Sequence, residues 1–494
     1  MLGDRQALGP WRLLAVALLV GVAVRLPGMT ESLWFDETWR TTARLNADLA
    51  FATLFRDVHN FLYNAFMYGW IRLFGQSEVS IRLPSMLAGV GAAWLFADWV
   101  SRRFGRRLGW FVLLWALVAP AHVWYSAEAK NNAFTLFFSC LAFVAIERSA
   151  RQTDRCALWC AATAIALALC VDYTALLLIV PALLCVAWSG QGRRAVQTCA
   201  LGLLLCSPMW IDRLLHPDGM SRSYARNFDL GEMFLLLVNY FPTGNALAPY
   251  RPFTPGAAFE DGRGWLFAPL GLLLVALLCA GGVAMRAARR SAGMWLLAPL
   301  LAPLAMFLVA SAVLHALWPG QGRYIYQERN LLTLLLPFAA LLGAGVLSLR
   351  SKSLRVGALC AVFGVPLASD IAMLGPHDDR WTVYKPNPDW RGAAAWLRAQ
   401  PEARQGRLVA LESAKADALS YYLPDVVRIS RPWPPNPEEL LATFARFDVD
   451  TIFVLRNQHW LPPDRRLFPA GHGVTLEDGF EGRAVKVWRL RRSR

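Results

Sequence analysis

The sequence predicts a polytopic α-helical membrane protein of about eleven transmembrane helices, followed by a small α/β domain. Composition supports this first: 56% of the 494 residues are hydrophobic and 17% are charged, whereas a soluble globular chain usually carries about 25% charged residues. Second, apolar runs of about 20 residues, long enough to cross a bilayer, recur along the chain. Third, Lys and Arg cluster at the ends of these runs, so membrane topology explains the net charge of +15 better than nucleic-acid binding does.

The apolar runs define the expected spans. Their approximate limits are 11–27, 79–100, 108–125, 131–147, 156–171, 173–189, 195–211, 265–285, 292–317, 331–348 and 356–374. No small-residue cleavage site follows the first run, so we expect a retained helix rather than a signal peptide.

The loops between these runs predict the orientation. Five of the connecting loops are basic and fall on one side, which the positive-inside rule makes cytoplasmic. These are SRRFGRR (101–107), ERSARQTDR (147–155), QGRR (191–194), RAARR (286–290) and LRSKSLR (349–355). We therefore expect a cytoplasmic N-terminus. Residues 1–374 would form the transmembrane module, with outer loops at about 28–78 and 212–264, and residues 375–494 a domain on the outer side.

The first outer loop contains a second helix pattern. In NFLYNAFMYGWIRLFG (60–75), Leu62, Phe66, Gly69 and Leu73 recur at helical spacing. Such a pattern predicts a short amphipathic helix at the membrane interface. Packing of the same helix against the bundle is compatible with that location.

The C-terminal domain reads as alternating helices and strands. Helical patterns cover 392–400, 416–423 and 437–447, and strand patterns cover 407–413, 426–430, 451–456 and 484–490. The alternation is typical of an α/β unit. It contains no Gly-rich phosphate loop, His/Cys cluster or nucleophile motif, so we assign it a supporting or acceptor-binding role.

Polar residues at the outer ends of the spans are the candidate site. Charge beside the bilayer is costly and therefore suggests function. The candidates are Asp36, Glu37, His59, Glu128, Lys130, Asp172, Tyr173, Arg323, Glu328 and Arg329. Simpler roles remain open: Lys130 and Arg329 as snorkelling cations, the two adjacent acids as solvated loop residues, His59 as a structural hydrogen-bonding group and Asp172 as a helix cap.

The convergence of these groups on one membrane face indicates a chemistry. A carboxylate at the interface can deprotonate a hydroxyl acceptor. Cations at helix ends can hold a phosphate and stabilise it as it leaves. Grooves between apolar helices can hold a lipid chain. Together these groups favour transfer of a sugar from a lipid phosphate at the outer face.

An ordered series of motifs resembles a known family. They are FDE (35–37), HNFLYNAFMYGWIRLFG (59–75), SIRLPSMLAGV (80–90), YSAEAKNNAF (125–134), VDYTALLL (171–178), ERNLLTLLLPFAALLGAG (328–345) and PDWRGAAAWL (388–397). The series resembles the GT-C glycosyltransferases of the protein mannosyltransferase and aminoarabinose transferase type. It is most similar to bacterial members of this glycosyltransferase family 39-like group, which use polyprenyl-phosphate sugars. The resemblance therefore implies a location in the bacterial inner membrane, with residues 375–494 in the periplasm.

The resemblance implies specific roles. Asp36 would be the catalytic base, Glu37 would assist it or share a metal or acceptor contact, and Lys130 and Arg329 would contact the donor phosphate. Lys130 stands where the family usually has Arg, and it would bind phosphate as a point charge without the bidentate fork. A single inverting displacement is the family expectation.

Several positions depart from the family pattern. His59 is not followed by two prolines, Asp172 replaces a frequent His, and Asn330 replaces a frequent Tyr. Because of these departures, the resemblance does not identify the donor sugar or say whether a divalent cation takes part. The expected partners are the donor, membrane lipids and a hydroxyl- or amine-bearing acceptor that is a lipid, a glycan or a protein.

Other functions remain alternatives. A multi-pass lipid or glycan transporter or flippase would place ionisable groups near the midplane and often show inverted repeats. A membrane scaffold presenting the C-terminal domain would not need Asp36. A ligase or polymerase acting on a diphosphate-linked oligosaccharide differs in the donor's chain length and phosphate count.

Overall fold

A computed structural model describes most of the chain. The described ranges are 10–33, 35–38, 60–152, 154–215, 241–243, 263–288, 290–317, 328–374, 387–413, 417–424, 427–431, 437–457, 474–483 and 485–492. The chain forms two compact units. The first contains residues 1–29, 49–376 and 382–384, and the second contains residues 30–48, 377–381 and 385–494.

The first unit is helical. Its helices are α1 (Pro10–Met29), α3 (Phe61–Phe74), α4 (Glu78–Phe104), α5 (Arg106–Val118), α6 (Pro120–Ala127), α7 (Asn132–Arg151), α8 (Arg155–Val171), α9 (Leu176–Val186), α10 (Gly192–Leu215), α11 (Arg263–Ala288), α12 (Arg290–Leu317), α13 (Leu335–Ser348) and α14 (Lys352–Leu374). A single 3₁₀ turn, Tyr173–Ala175, precedes α9, and a 3₁₀ helix, Glu328–Leu334, precedes α13. A short helix in the second unit, α2, is described with that unit.

The predicted multi-pass architecture is confirmed. Among the described helical stretches, six are long and apolar enough to cross a membrane, and α5 with α6 would make a seventh as a span bent by 58°. Every expected apolar run is helical, but the count of about eleven spans remains a prediction. Runs 173–189 and 195–211 join in one apolar stretch, Tyr173–Met209. Gly190 interrupts it with φ 85°, a backbone conformation that favours glycine.

Small residues allow close helix packing within the bundle. A Cβ added at Gly345 would lie 1.9 Å from the Leu277 carbonyl oxygen, and one at Gly281 would lie 2.1 Å from that of Leu341. The backbones of α11 and α13 therefore nearly touch, as is common where small residues line transmembrane helix interfaces.

Helix α3 covers the segment predicted to be amphipathic. It buries Tyr63, Asn64, Met67 and Ile71 against the bundle. Its exposed side carries Phe66 and Leu73, which are 42% and 78% exposed. The predicted stripe is therefore the outward face of the helix, and a different set of residues packs inward.

The second unit is a five-stranded sheet with helices. Its elements are β1 (Val409–Ser413), β2 (Val427–Arg431), β3 (Thr451–Asn457), β4 (Val474–Gly482), β5 (Val485–Arg492), α15 (Trp390–Arg398), α16 (Asp417–Tyr422) and α17 (Pro437–Phe447). The strand order is β2-β1-β3-β5-β4; the first three strands run parallel and β5 is antiparallel to β3 and β4. Strand β4 was not predicted, because its acidic, glycine-containing sequence lacks a clear apolar alternation.

The second unit also contains part of the first outer loop. The turn α2 (Phe35–Thr38) lies within residues 30–48, which group with the C-terminal domain. The expected division, with residues 28–78 as an outer loop of the transmembrane module, stays a prediction. The grouping of residues 30–48 with the C-terminal domain could not be predicted from the sequence, because the hydrogen bonds involved join segments more than 350 residues apart.

Candidate functional site

A buried ion pair lies where α6 ends. Pro120 occupies the first turn of α6, at the break that bends α5 and α6 by 58°. This helix ends at Glu128, and two residues later Lys130 Nζ lies 3.4 Å from Glu128 Oε2. Both residues are more than nine-tenths buried. A proline at the first turn is favourable because its missing N–H is not needed there, so Pro120 favours the start of a new helix at this break.

The ion pair is fixed on both sides. Trp124 Nε1 donates to Glu128 Oε1 at 2.9 Å, and the Lys130 backbone N–H donates to the Glu128 carbonyl at 2.8 Å. The Ser85 hydroxyl on α4 donates to the Lys130 carbonyl at 3.1 Å. The turn that carries the Lys130 ammonium is therefore held by hydrogen bonds to α4 and to Glu128.

Asp172 lies close to the same turn. Asn131 Nδ2 donates to Asp172 Oδ2 at 2.7 Å. The other carboxylate oxygen, Oδ1, accepts from the Thr174 N–H at 2.8 Å and caps the 3₁₀ turn that starts at Tyr173. Asp172 therefore has the helix-capping role, and it also connects this turn to the segment that holds Lys130. Tyr173 is half-buried.

A buried polar network, centred on Arg25 of α1, was not identified from the sequence. Its side chain is fully buried. Its Nε donates to Ser126 Oγ at 2.5 Å and its Nη2 to His122 Nδ1 at 2.7 Å. His122 Nε2 lies 3.1 Å from the Gly89 carbonyl oxygen. Because a guanidinium only donates and a carbonyl only accepts, the ring is neutral with its proton on Nε2.

Asp370 of α14 belongs to this network through charge. It is 4% exposed and interacts electrostatically with Arg25. Within the described ranges, neither of its carboxylate oxygens has a hydrogen-bond partner. A buried carboxylate is costly without a compensating charge, so Arg25 stabilises it.

Arg82 of α4 fixes the last turn of α1. It is 1% exposed, and its Nη1 donates to the carbonyls of Gly28 at 3.0 Å and Met29 at 3.3 Å. The final carbonyls of a helix have no partner inside the helix. Arg82 satisfies two of them and sets the point from which the chain leaves α1.

The carboxylate turn lies in the second unit. Asp36 and Glu37 are both in α2, and the Glu37 side chain is fully buried. The side chain of Asp36 lies outside the described part of the structure, as do those of Glu328 and Arg329 at the start of the 3₁₀ helix. His59 and Arg323 lie outside the described residues altogether.

The missed residues carried a detectable signal. Arg25, His122 and Asp370 each stand within an expected span, and a polar side chain at such a position suggests function or pairing. Which of the three would meet could not be read from spacing, because they lie on three different helices.

Metal ligation has no described candidate. Within the described ranges, no group of three or more His, Cys, Asp or Glu side chains could hold a metal ion.

Comparisons with known proteins agree with this architecture. A family model described as dolichyl-phosphate-mannose-protein mannosyltransferase matches residues 58–211. The apo crystal structure of ArnT from Cupriavidus metallidurans superposes with a TM-score of 0.57 at 15% identity, covering 97% of each chain. The structure of the same protein bound to undecaprenyl phosphate gives 0.55 at 14% identity, again covering 97% of each chain. No curated protein sequence matches the chain.

These comparisons confirm the predicted fold class. The structural likeness extends along nearly the whole chain, and the family match covers the segment that contains Lys130 and Asp172. Together they support a glycosyltransferase. The chain has the GT-C fold of ArnT, and its expected resemblance to the mannosyltransferase and aminoarabinose transferase type is confirmed.

Proposed function

We propose that this protein transfers a sugar from a polyprenyl-phosphate-linked donor to an acceptor hydroxyl or amine. The reaction takes place at the outer face of the bacterial inner membrane, with the N-terminus in the cytoplasm. The acceptor is a lipid, a glycan or a protein.

One observation carries the proposal: a buried ammonium at the end of an apolar helix, in a fold shared with a protein that binds undecaprenyl phosphate. Lys130 is 7% exposed and is flanked by helical stretches long and apolar enough to cross a membrane. A phosphate oxygen that replaces the Glu128 carboxylate at Lys130 would keep the ammonium paired. A buried cation needs a partner of opposite charge; the phosphate supplies one to Lys130, and Glu128 keeps the hydrogen bond from Trp124 Nε1.

The transfer step needs a base and a stabilised leaving group. In the proposal, Asp36 takes the proton from the acceptor, and the freed lone pair forms the bond to the anomeric carbon. The bond between that carbon and the phosphate oxygen breaks as the new bond forms. The polyprenyl phosphate leaves with the electron pair, and Lys130 and Arg329 stabilise its added charge. This single displacement would invert the anomeric centre.

Burial separates the roles of the two acids. Glu37 is fully buried, which suits a residue that stabilises the turn better than one that accepts a proton from a substrate. We therefore assign the assisting role to Glu37, and we keep Asp36 as the base, which is the role that the family resemblance implies.

The test compares purified wild type with Asp36→Asn in vesicles. Each receives a panel of polyprenyl-phosphate sugars and a lipid extract as acceptor source. The expected result is release of polyprenyl phosphate and a new glycosylated product from wild type, measured by mass spectrometry, and loss of both in Asp36→Asn. Asp448→Asn is the matched control, because Asp448 is a fully exposed aspartate. Equal turnover by Asp36→Asn would exclude Asp36 as the base.

A lipid or glycan flippase remains the second candidate. The buried Arg25 and Asp370 favour it, because intramembrane charges often mark transport pathways. A flippase would move a fluorescent polyprenyl-phosphate sugar across the membrane of proteoliposomes without forming a glycosylated product. Translocation by Asp36→Asn at the wild-type rate, with no product from either protein, would establish that function instead.

A further inference from the structure

The segment before the carboxylate turn is bound by the C-terminal domain within the second unit. Arg483, in the turn between β4 and β5, places Nη1 3.1 Å from Glu31 Oε1. Arg391, in the first turn of α15, donates from Nη2 to the Thr30 carbonyl at 2.8 Å. Two arginines from separate parts of the domain therefore hold two adjacent residues.

The next two residues are bound as well. Ser32 Oγ accepts the backbone N–H of Arg391 at 3.3 Å, which satisfies one of the N–H groups that lack a partner at the start of α15. The Leu33 N–H donates to Tyr422 Oη of α16 at 2.9 Å. Ser32, Leu33 and Tyr422 are all buried. Four consecutive residues, 30–33, are thus bound immediately before α2.

We infer that Arg391, Tyr422 and Arg483 are positioning residues, through which the C-terminal domain holds the turn that carries Asp36 and Glu37. The inference rests on the proposed function, in which Asp36 is the base. It gives the domain a defined part in the reaction, because α15, α16 and the β4–β5 turn must be assembled together before residues 30–33 are fixed.

The strength of these contacts indicates positioning rather than bulk stability. The Arg483–Glu31 pair is partly exposed, with side chains 38% and 20% accessible, and exposed pairs contribute little to stability. A base needs accurate placement, since a displacement of about 1 Å can lower a rate on the order of 100-fold. Hydrogen bonds and an ion pair at four successive residues can fix a backbone to that accuracy.

The experiment is a charge exchange across the Arg483–Glu31 pair in the full-length protein. The variants are Arg483→Glu, Glu31→Arg and the double exchange. Two quantities are measured for each: hydrogen exchange of the peptide covering residues 30–38, and kcat with KM for the donor. Each single variant is expected to exchange faster and to lose about 10- to 100-fold in kcat at unchanged donor KM. The double exchange should restore both.

A matched control lies in the same hairpin. Lys486 and Glu481 form an ion pair at 3.0 Å that does not involve residues 30–33. Lys486→Glu should alter neither the exchange of residues 30–38 nor kcat. Should Arg483→Glu fail to fold, Tyr422→Phe provides the same comparison, since it removes only the oxygen that accepts the Leu33 N–H.

The outcomes distinguish this inference from the proposed function. Wild-type exchange and wild-type kcat in both single variants would overturn the positioning role. Faster exchange with unchanged kcat would overturn it equally. Wild-type turnover by Asp36→Asn would instead overturn the assignment of the base, and the exchange data would still decide whether the domain holds residues 30–33.

Discussion

At the scale of single residues, Lys130 shows how a charge is kept beside apolar helices. Its ammonium is 3.4 Å from Glu128, and the turn that carries it is bonded to α4 through Ser85. The pair is neutral overall, which limits the cost of burial. The donor phosphate would therefore compete with Glu128 for the same ammonium.

Replacement of Lys130 tests this role directly. Lys130→Met should lower kcat/KM on the order of 100-fold, the usual loss when a donor to a developing anion is removed. Lys130→Arg should retain more activity, because Arg also binds phosphate. The measurement is donor-dependent kinetics in vesicles. Lys352→Met, at an exposed lysine at the start of α14, is the control, and equal kinetics for Lys130→Met and this control would contradict the phosphate contact.

The Arg25 network makes a separate prediction about stability. Arg25→Met should destabilise the protein by about 1–3 kcal/mol, because it removes the buried hydrogen bonds to Ser126 and His122 together with a charge that favours the Asp370 carboxylate. The double variant Arg25→Met/Asp370→Leu should lose less free energy of unfolding than the two single variants lose together. Thermal unfolding in detergent, analysed as a double-mutant cycle, measures this coupling. Strict additivity would show that the two charges do not interact.

At the scale of elements, helix contacts depend on a few small residues. The added Cβ at Gly345 would lie 1.9 Å from a backbone oxygen of α11, a distance that no rotamer change relieves. A comparable glycine in α14, Gly364, has nothing within 4 Å of its added Cβ. The two positions therefore differ in packing although both are glycines in apolar helices.

These two glycines form a matched test. Gly345→Ala should lower the free energy of unfolding by about 1–3 kcal/mol through overpacking. Gly364→Ala should be neutral or slightly stabilising, since alanine favours a helix. Detergent melting curves measure both variants. Equal stability of the two would mean that α11 and α13 are farther apart than described.

Helix α3 makes a prediction about the membrane surface. Its outward face carries Phe66 and Leu73, and Arg72 lies 3.6 Å from the centre of the Tyr68 ring. An apolar stripe with a cation beside it is typical of an interfacial helix. Spin labels at Leu73→Cys should respond to oxygen dissolved in lipid, and labels at Gln76→Cys to a water-soluble nickel reagent. Both are placed in a background without native cysteines. Equal response of both labels to the nickel reagent would place the stripe in water.

At the scale of the whole molecule, the positive-inside pattern predicts where each unit lies. Basic loops should be cytoplasmic, and the long domain after α14 should be periplasmic. In a cysteine-free background, Thr475→Cys on the exposed side of β4 should react with an impermeant maleimide in intact spheroplasts. Ser351→Cys, in a basic loop, should react only after lysis. The reverse labelling pattern would invert the orientation.

The sequence predicted most helices and strands, but it did not predict the breaks and bends between neighbouring helices. Apolar runs predicted the long helices of the bundle, because the bilayer sets a required length and composition, and amphipathic spacing predicted α3. They did not predict the kink at Gly190 or the bend at Pro120, since both depend on how short segments pack. In the C-terminal domain, the alternation of helix and strand patterns predicted α15 and β3. Strand β4 was missed because its pairing with β5, and not an apolar pattern of its own, makes it a strand.

The candidate site divides in the same way. By itself the sequence determined the polytopic fold class and the polar groups at helix ends, including Lys130 and Asp172, because charge is costly at those positions. Only the tertiary structure decided that Lys130 pairs with Glu128 and that Arg25 meets His122. It also decided that residues 30–33 are bound by Arg391, Tyr422 and Arg483. Hydropathy acts along the chain and can be read locally, whereas side-chain pairing depends on which segments, however distant in sequence, are packed together.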